Sequence, residues 1–508
     1  MRQYWSIGLA LPLALFAARS ASAATITVNA GGNLQAAIDA AQPGDTILLQ
    51  AGATFTGSYR LRAKPGATQY ITIRSSAANA SLPAAGERMT PAYASLLPKI
   101  KGTNTGPAIR TDPGATYWRL LFLEVLPASS TASANLVEFG GTGTSQNTLS
   151  SVPQHLMLDR CYLHGNASYG HRRGLALNSG NTQVVGSYFS DFKGVNQDTQ
   201  AIMGWNGPGP FFIENNYLEA AAENLLFGGN DPSIVNLVPS DIVIRRNLIT
   251  KKTAWMTQSW TVKNLIELKN AQRVLIEGNT IEYNWAAGQQ GYAIVFTPRN
   301  QSGTAPWSVV RDIAVQNNII RHVAAAFNIC GYDDLATSQQ TQNITIKNNL
   351  LYDVHTRWSI PNHPANGRMA IIGGGPKNIV IDHNTVDNNG SSTIFLYGGY
   401  SPTGKSILGF EVTHNVLRDN SYGIFGGNYG EGTVGLTAYA PNAVVLNNAF
   451  GGGQVKLYPT GNYFPTLAQW LADFVNPGAG DYRLVSTSLS NGSGVNFAPL
   501  NAAMFAIR

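Results

Sequence analysis

Residues 242–249 read IVIRRNLI, 274–281 read VLIEGNTI and 313–320 read IAVQNNII. One rule covers all three: apolar-x-apolar-x-x-Asn-x-apolar. It continues as ITIKNNLL (344–351), IVIDHNTV (379–386), FEVTHNVL (410–417) and AVVLNNAF (443–450). Toward the N-terminus it recurs as FFIENNYL (211–218) and as LMLDRCYL (156–163), with Cys161 at the Asn position. TQVVGSYF (182–189), with Ser187 there, and WRLLFLEV (118–125), with Leu123, are weaker copies. The Asn position therefore falls at 123, 161, 187, 216, 247, 279, 318, 349, 384, 415 and 448. Successive spacings are 26 to 39 residues, the range of solenoid repeats.

Apolar residues two apart give a strand one buried face. The x-x-Asn step breaks that alternation, so the chain turns a corner there. Asn tolerates the left-handed conformation that a corner can need. If coils stack, successive Asn side chains can bond along the stack as a ladder and satisfy buried amides. A second strand follows most copies, for example NLLFGG (224–229), NLIELKN (264–270), AIVFTPRN (293–300), AIIGGG (370–375) and TIFLYGG (393–399). Each coil thus holds a pair of short strands around a corner and one further strand. Eleven registered copies predict an all-β chain, a right-handed parallel β-helix, rather than a sandwich or propeller.

The composition agrees. Charged residues make up 12% of the 508, about half the usual share, while Gly numbers 53 and Asn 45. That excludes a coiled coil, a charged disordered chain and a multi-spanning membrane protein. Arg2, the apolar run 7–18 and Ala21-Ser22-Ala23 have the form of a secretory signal peptide, which predicts removal of residues 1–23 and a secreted or periplasmic location. Removing Arg2 and Arg19 takes the formal charge from +6 to +4, too mild for a nucleic-acid binder. Cys161 and Cys330 show no zinc or redox spacing, and the sequence does not say whether they pair.

Residues 24–508 are expected to form one domain. Asn33 to Ala41 has a helical face of Leu34, Ala37, Ile38 and Ala41, followed by Gln42-Pro43-Gly44 and a strand. It predicts an N-terminal capping helix within a cap of about 25–60, because a solenoid must close its open core. A short helix at 467–475 and a strand at 481–485 are expected in a C-terminal cap of about 460–508.

The repeat and this N-terminal segment resemble the pectate-lyase-like superfamily of secreted β-helix proteins. In part they resemble the alginate lyase and chondroitinase B family within it. The resemblance covers most of residues 25 to 485. It implies a polysaccharide substrate and, in many members, calcium.

In a stacked-coil protein function lies on outward positions and long loops. The longest excursions are 228–241, 250–263, 299–312, 331–343 and 355–368, and they are expected to cluster on one side. They and their neighbours carry Lys251, Lys252, Trp255, Trp260, Lys263, Trp285, Arg299, Trp307, Tyr332, Arg357, Trp358, His363 and Arg368. Aromatic faces stack on sugars and cations pair with carboxylates. Lys252, Trp255, Trp285, Tyr332, Asp333, Arg357 and His363 are the expected substrate contacts.

Within this set Ile266 and Leu268 should point inward, leaving Glu267 and Lys269 outward. One coil later the strand ends in Thr297-Pro298-Arg299, so Lys269 and Arg299 can face one bound group. A Lys base beside an Arg suits β-elimination on a uronic-acid glycan, where the carboxylate must be neutralised before the adjacent proton is taken. The family uses such a pair from neighbouring coils, which implies Lys269, Arg299 and Glu267 as catalytic residues. The family's Lys-Ser and Arg-His-Gly contexts are absent. Glu223 and Asp231 are the expected calcium ligands.

Two other readings remain open from sequence. A β-helix glycoside hydrolase would use paired carboxylates among Glu267, Asp231, Asp333 and Asp334. A non-catalytic glycan-binding or cell-surface protein would keep the aromatic wall without a base. Ile381-Asp-His-Asn384 resembles a pectate lyase motif, but Asn384 is a corner residue and reads as structural. His171-Arg172-Arg173 and Glu223-Asn224 read as outer subsites or loop supports. No membrane span is expected, and the protein is expected to be a monomer.

Overall fold

The computed structural model describes residues 23–103, 106–128, 134–398, 404–490 and 492–505. The expected leader, apart from Ala23, lies outside the described residues. Three parallel sheets of 14, 13 and 13 strands run the length of the molecule. The chain visits them in turn, one strand of each per coil, which makes a right-handed parallel β-helix. In one coil these are Ser240–Arg245 in the first sheet, Leu248–Thr250 in the second and Asn264–Leu268 in the third.

The repeat sets the register. Ile242, Val274, Ile313, Ile344, Ile379 and Phe410 stand opposite one another on six successive strands of the first sheet. All are buried, so like residues stack on like through the interior. Each buried aliphatic side chain contributes on the order of 1.5–3 kcal/mol. The solenoid therefore gains its stability coil by coil.

The corner between the first and second sheets is the tightest. Side-chain Nδ2 of Asn216 donates to Oδ1 of Asn247, and the bond repeats through Asn279, Asn318, Asn349, Asn384, Asn415 and Asn448 to Asn462, at 2.9–3.0 Å throughout. The same Oδ1 atoms also accept the backbone N–H of the preceding Asn. One detail differs from expectation: these Asn residues are not left-handed. The left-handed residue is the one before, Asn215, Arg246, Asn317, Asn348, His383, His414 and Asn447, with φ between 52° and 58°. That residue takes the turn, so the following amide can aim into the stack.

Short helices stand near both ends. Helix Leu34–Ala40 is capped by the Asn33 side chain accepting from Ala36 N–H at 3.0 Å, and it buries Leu34, Ala37 and Ile38. At the far end, helix Thr433–Tyr439 packs on the last strands of the third sheet, an element the sequence pattern had not signalled. Helix Leu467–Ala472 carries a capping box at Thr466. Strands Phe474–Asn476 and Asp481–Leu484 then pair antiparallel. The tail runs back along the Asn corner: Gly494 N–H donates to His414 O, Asn496 N–H to Asn348 Oδ1, and Arg246 Nε to Ala503 O. From the other end Arg88 reaches Asn215 and Arg246. Together they cover that corner and leave the third sheet's outer face open. Cys161 and Cys330 are both free thiols. Among the described residues no helix is long and apolar enough to cross a membrane.

Candidate functional site

The long loops do not gather on one side, as the sequence suggested. A coil has three corners, and the loops occupy two of them. Segments 251–263 and 356–369 lead from the second sheet into the third; 228–239, 297–309 and 331–341 lead from the third into the first. They form two banks with the third sheet between them. A cleft of about 490 Å³ lies there.

Its floor is built from outward positions of successive strands. Glu267, Val295, Asn328, Ile371 and Phe395 stand in one row. Lys269 and Thr297, then Cys330, Gly373 and Tyr397, form the next. Gly373 is required there: a Cβ on it would lie 2.1 Å from the Tyr397 ring. The bare backbone lets that ring lie down into the cleft. Asn264, Gln289, Gln290, Tyr292, Arg299, Tyr332 and Asp334 complete the walls.

Lys269 Nζ lies 2.9 Å from Glu267 Oε1 and 3.5 Å from Thr297 Oγ1. Arg299 N–H donates to Lys269 O at 2.8 Å, which fixes the two residues on neighbouring coils. The Arg299 guanidinium binds Asp333 Oδ1 at 2.8 Å and Asp334 Oδ1 at 3.0 Å. Lys269 and Arg299 keep 17% and 18% of their side-chain surface exposed, against 2% for Glu267 and none for Asp333. Lys269 and Arg299 thus face the cleft with Glu267 and Asp333 packed behind them, while Asp334, 36% exposed, stands beside Arg299 in the wall. Two more cations rim it. Lys405 Nζ sits 3.5 Å above the Tyr332 ring, and the Arg368 guanidinium 4.3 Å above Phe395. The cleft is therefore electropositive, with aromatic faces and side-chain amides for neutral hydroxyls.

A buried polar row approaches it along the same sheet. Arg173 donates to Asn135 and Gln200, Gln200 to Glu223, and Asn264 to Gln289, at 2.7–2.9 Å. Burial, then the Glu267 and Asp198 charges, push the Glu223 carboxyl up to about 7. Lys263 stands 3.6 Å from it.

Of the residues expected from sequence, Lys269, Arg299, Glu267 and Tyr332 meet in the cleft, with Asp333 behind Arg299. The others lie elsewhere. Trp255 and Trp285 are 2% and 1% exposed. They form a small core with Val262 and Ala221 under the loop bank and offer no ring to a sugar. Trp255 and Trp285, from the same corner of two successive coils, supply enough apolar surface to seal it, and burial wins. Beneath them the Lys251 ammonium is sealed by the Ala220, Ala222 and Asn264 carbonyls and by Asn224 Oδ1. Lys252 pairs with Asp191 and Glu219 along the second sheet. Arg357 pairs with Asp353 and lines a separate cleft with Arg321, Tyr352 and Asp387. His363 is on an exposed loop, its N–H donating to Ile360 O.

Glu223 and Asp231, the expected calcium ligands, are not brought together. Calcium takes six to eight oxygens. Glu223 opens its strand and is engaged by Gln200 and Lys263. Asp231 lies beyond that strand's end, where one oxygen accepts Ser302 N–H, Thr304 N–H and the Thr304 hydroxyl and so ties two loops. The carboxylates nearest the cleft are met by ammonium and guanidinium groups instead.

Several cleft residues were missed from sequence. Phe395 and Tyr397 alternate with buried Ile394 and Leu396, so strand parity alone could have found them. Asn264, Gln289, Gln290 and Asn328 were lost in the general excess of amides. Lys405 follows a loop and carries no local signal.

No family model matches the sequence, and no curated protein does. Solved structures do match. The "PL6 family alginate lyase AlyGC" aligns at 12% identity over 93% of this chain, with a TM-score of 0.56. The chain spans 56% of that protein's length. "A new PL6 alginate lyase complex with trisaccharide" aligns at 12% identity over 94% of this chain and 93% of the other, TM-score 0.48. The Azotobacter vinelandii "Mannuronan C-5 epimerase AlgE6 A-module" aligns at 14% identity over 83% of this chain and 94% of the other, TM-score 0.46. At such identities the likeness to AlyGC establishes the fold and the fold alone.

Proposed function

We propose that the protein is a polysaccharide lyase that cleaves a uronic-acid glycan by β-elimination in the cleft on the third sheet. The observation that carries this reading is the pairing of Lys269 and Arg299. They sit on adjacent coils, joined through the backbone, with their charged ends turned to the cleft, Glu267 and Asp333 buried behind them and Asp334 beside Arg299 in the wall. The glycan carboxylate docks against Arg299, and neutralising it acidifies the proton on the neighbouring carbon. Lys269 in its neutral form takes that proton, with Glu267 and Thr297 holding its amine in place. The glycosidic oxygen on the next carbon leaves with its bonding pair, and a carbon–carbon double bond forms conjugated to the carboxylate. The leaving oxygen needs a proton, and the phenols of Tyr332 and Tyr397 stand in the same walls. The alginate lyase named among the matching structures is consistent with this class of substrate.

Hydrolysis is less well supported, because Glu267, Asp333 and Asp334 each bind a cation and Glu223 is sealed beneath the surface. Secretion fits a polymeric substrate, and rests on the N-terminal sequence. The test is incubation with alginate, pectate, glycosaminoglycans and neutral polysaccharides. Growth of the ultraviolet band of an unsaturated uronate is expected on at least one acidic polymer. New reducing ends without that band would mean hydrolysis, and a blank across the panel with retained binding would mean a glycan-binding protein.

A further inference from the structure

We infer that Asp382, His383 and His414 bind one divalent transition ion of the zinc class at the corner between the first and second sheets. Nδ1 of His383 and Nδ1 of His414 converge on one oxygen, Oδ1 of Asp382, at 2.8 and 3.3 Å. All three donor atoms lie within 4.8 Å of one another. Around a zinc ion with bonds of about 2.0–2.1 Å, tetrahedral neighbours stand roughly 3.3 Å apart. The trio needs only a small opening to admit one.

Three further observations favour an ion over a simple polar cluster. First, His383 Nδ1 is buried and makes no hydrogen bond, although Asp382 Oδ1 is so near. Second, the backbone does not ask for histidine here. Both residues occupy the left-handed column, φ 55° and 52°, which Asn317, Asn348 and Asn447 fill on the neighbouring coils. Asn suits that conformation well, yet two successive coils carry His. Their rings stack at 4.7 Å and 17°, the spacing of adjacent strands. Third, the outer partners fit. Thr413 Oγ1 donates to Asp382 Oδ1 at 2.9 Å, and Lys347 Nζ lies 3.0 Å from Oδ2, so the carboxylate is held in place. The Asn447 side-chain amide is 3.0 Å from His414 Nε2. The facing atom is the amide nitrogen Nδ2, so the amide must turn about before it can take that ring's N–H and leave Nδ1 as a lone pair.

Two imidazoles and one carboxylate select zinc, copper or nickel over calcium or magnesium. His414 also lines a cleft of about 460 Å³, shared with Ser490 and Ser493 of the tail. The ion would therefore clamp the last coils where Gly494 ties the tail to His414 O.

The test uses tag-free, chelator-stripped protein titrated with zinc chloride in a calorimeter and with cobalt(II) in a visible spectrometer. About one ion per chain is expected. In His383→Asn and His414→Asn, which keep a residue suited to the turn, affinity falls at least about tenfold. The cobalt band of the wild type is lost in both. Absence of stoichiometric uptake, or uptake unchanged in the two variants, overturns the site. Turnover plays no part in the readout, so this inference and the lyase reading fail separately.

Discussion

The Asn corner and the outer face of the third sheet belong to the same coils, yet they follow opposite rules. At the corner one residue type recurs, each amide satisfies the next, and the strands of the first and second sheets are joined by two residues. On the outer face no row repeats. Leu226 is followed by Glu267, then Val295, then Asn328, and loops of a dozen residues flank the strands. Regularity marks what holds the solenoid together. Its interruption marks where the chain has been free to place cations, phenols and amides beside one another.

That contrast can be tested from both sides. The largest effect is expected at the cleft. Lys269→Met should cut turnover by about 10³-fold, the contribution of a general base, while glycan binding stays within about threefold by calorimetry; the thermal midpoint should fall, because the buried Glu267 loses its ion pair. A parallel loss of binding would make Lys269 a docking residue instead. Next comes the corner. Asn318→Ala strips Asn279 of the acceptor for its backbone N–H and its side chain, both at 2.9 Å, and strips Asn349 of a donor. The Asn279 N–H is left without a partner at about 1–3 kcal/mol and each other lost bond adds about 1, so urea unfolding should show a loss of about 3 kcal/mol. Turnover at permissive temperature should persist.

A smaller effect follows from Glu223. Its carboxyl titrates near 7 when folded, against 4.5 for an ordinary glutamate. The folded state therefore holds a proton that the unfolded state has already released, and stability falls as pH rises between those values. The drop should be about 2.5 kcal/mol in the wild type. It should largely vanish in Glu223→Gln, measured by denaturant titration across that range. The smallest effect is expected outside the cleft: Arg357→Ala, on the far side of its loop bank, should leave turnover within about twofold, as exposed substitutions generally do. A large loss there would move the site to the neighbouring cleft.

The corner was legible because its physics is local. Asn at a fixed offset from two apolar residues is visible in eight residues, and all eight copies from 216 to 448 fall on the amide row. The cleft was half legible. Strand parity turned Glu267 and Lys269 outward, and coil spacing brought Arg299 beside them. What sequence could not weigh was which aromatic residues would be spent on sealing a corner. Trp255 and Trp285 look like Tyr332 in one dimension, yet the first two are core and the third is wall. Nor does a loop's length say which of three corners it leaves from, and that choice turned one expected cluster into two banks.

The most direct test of the account is a crystal structure of the Lys269→Met protein soaked with an acidic oligosaccharide from whichever polymer the wild type cleaves. The account predicts sugar along the third sheet between the two loop banks. One carboxylate should lie within about 4 Å of the Arg299 guanidinium, and the carbon next to it should face the position that the Lys269 amine holds in the wild type. Sugar bound in the cleft around Arg321 and Arg357, or along the Asn corner, would contradict it.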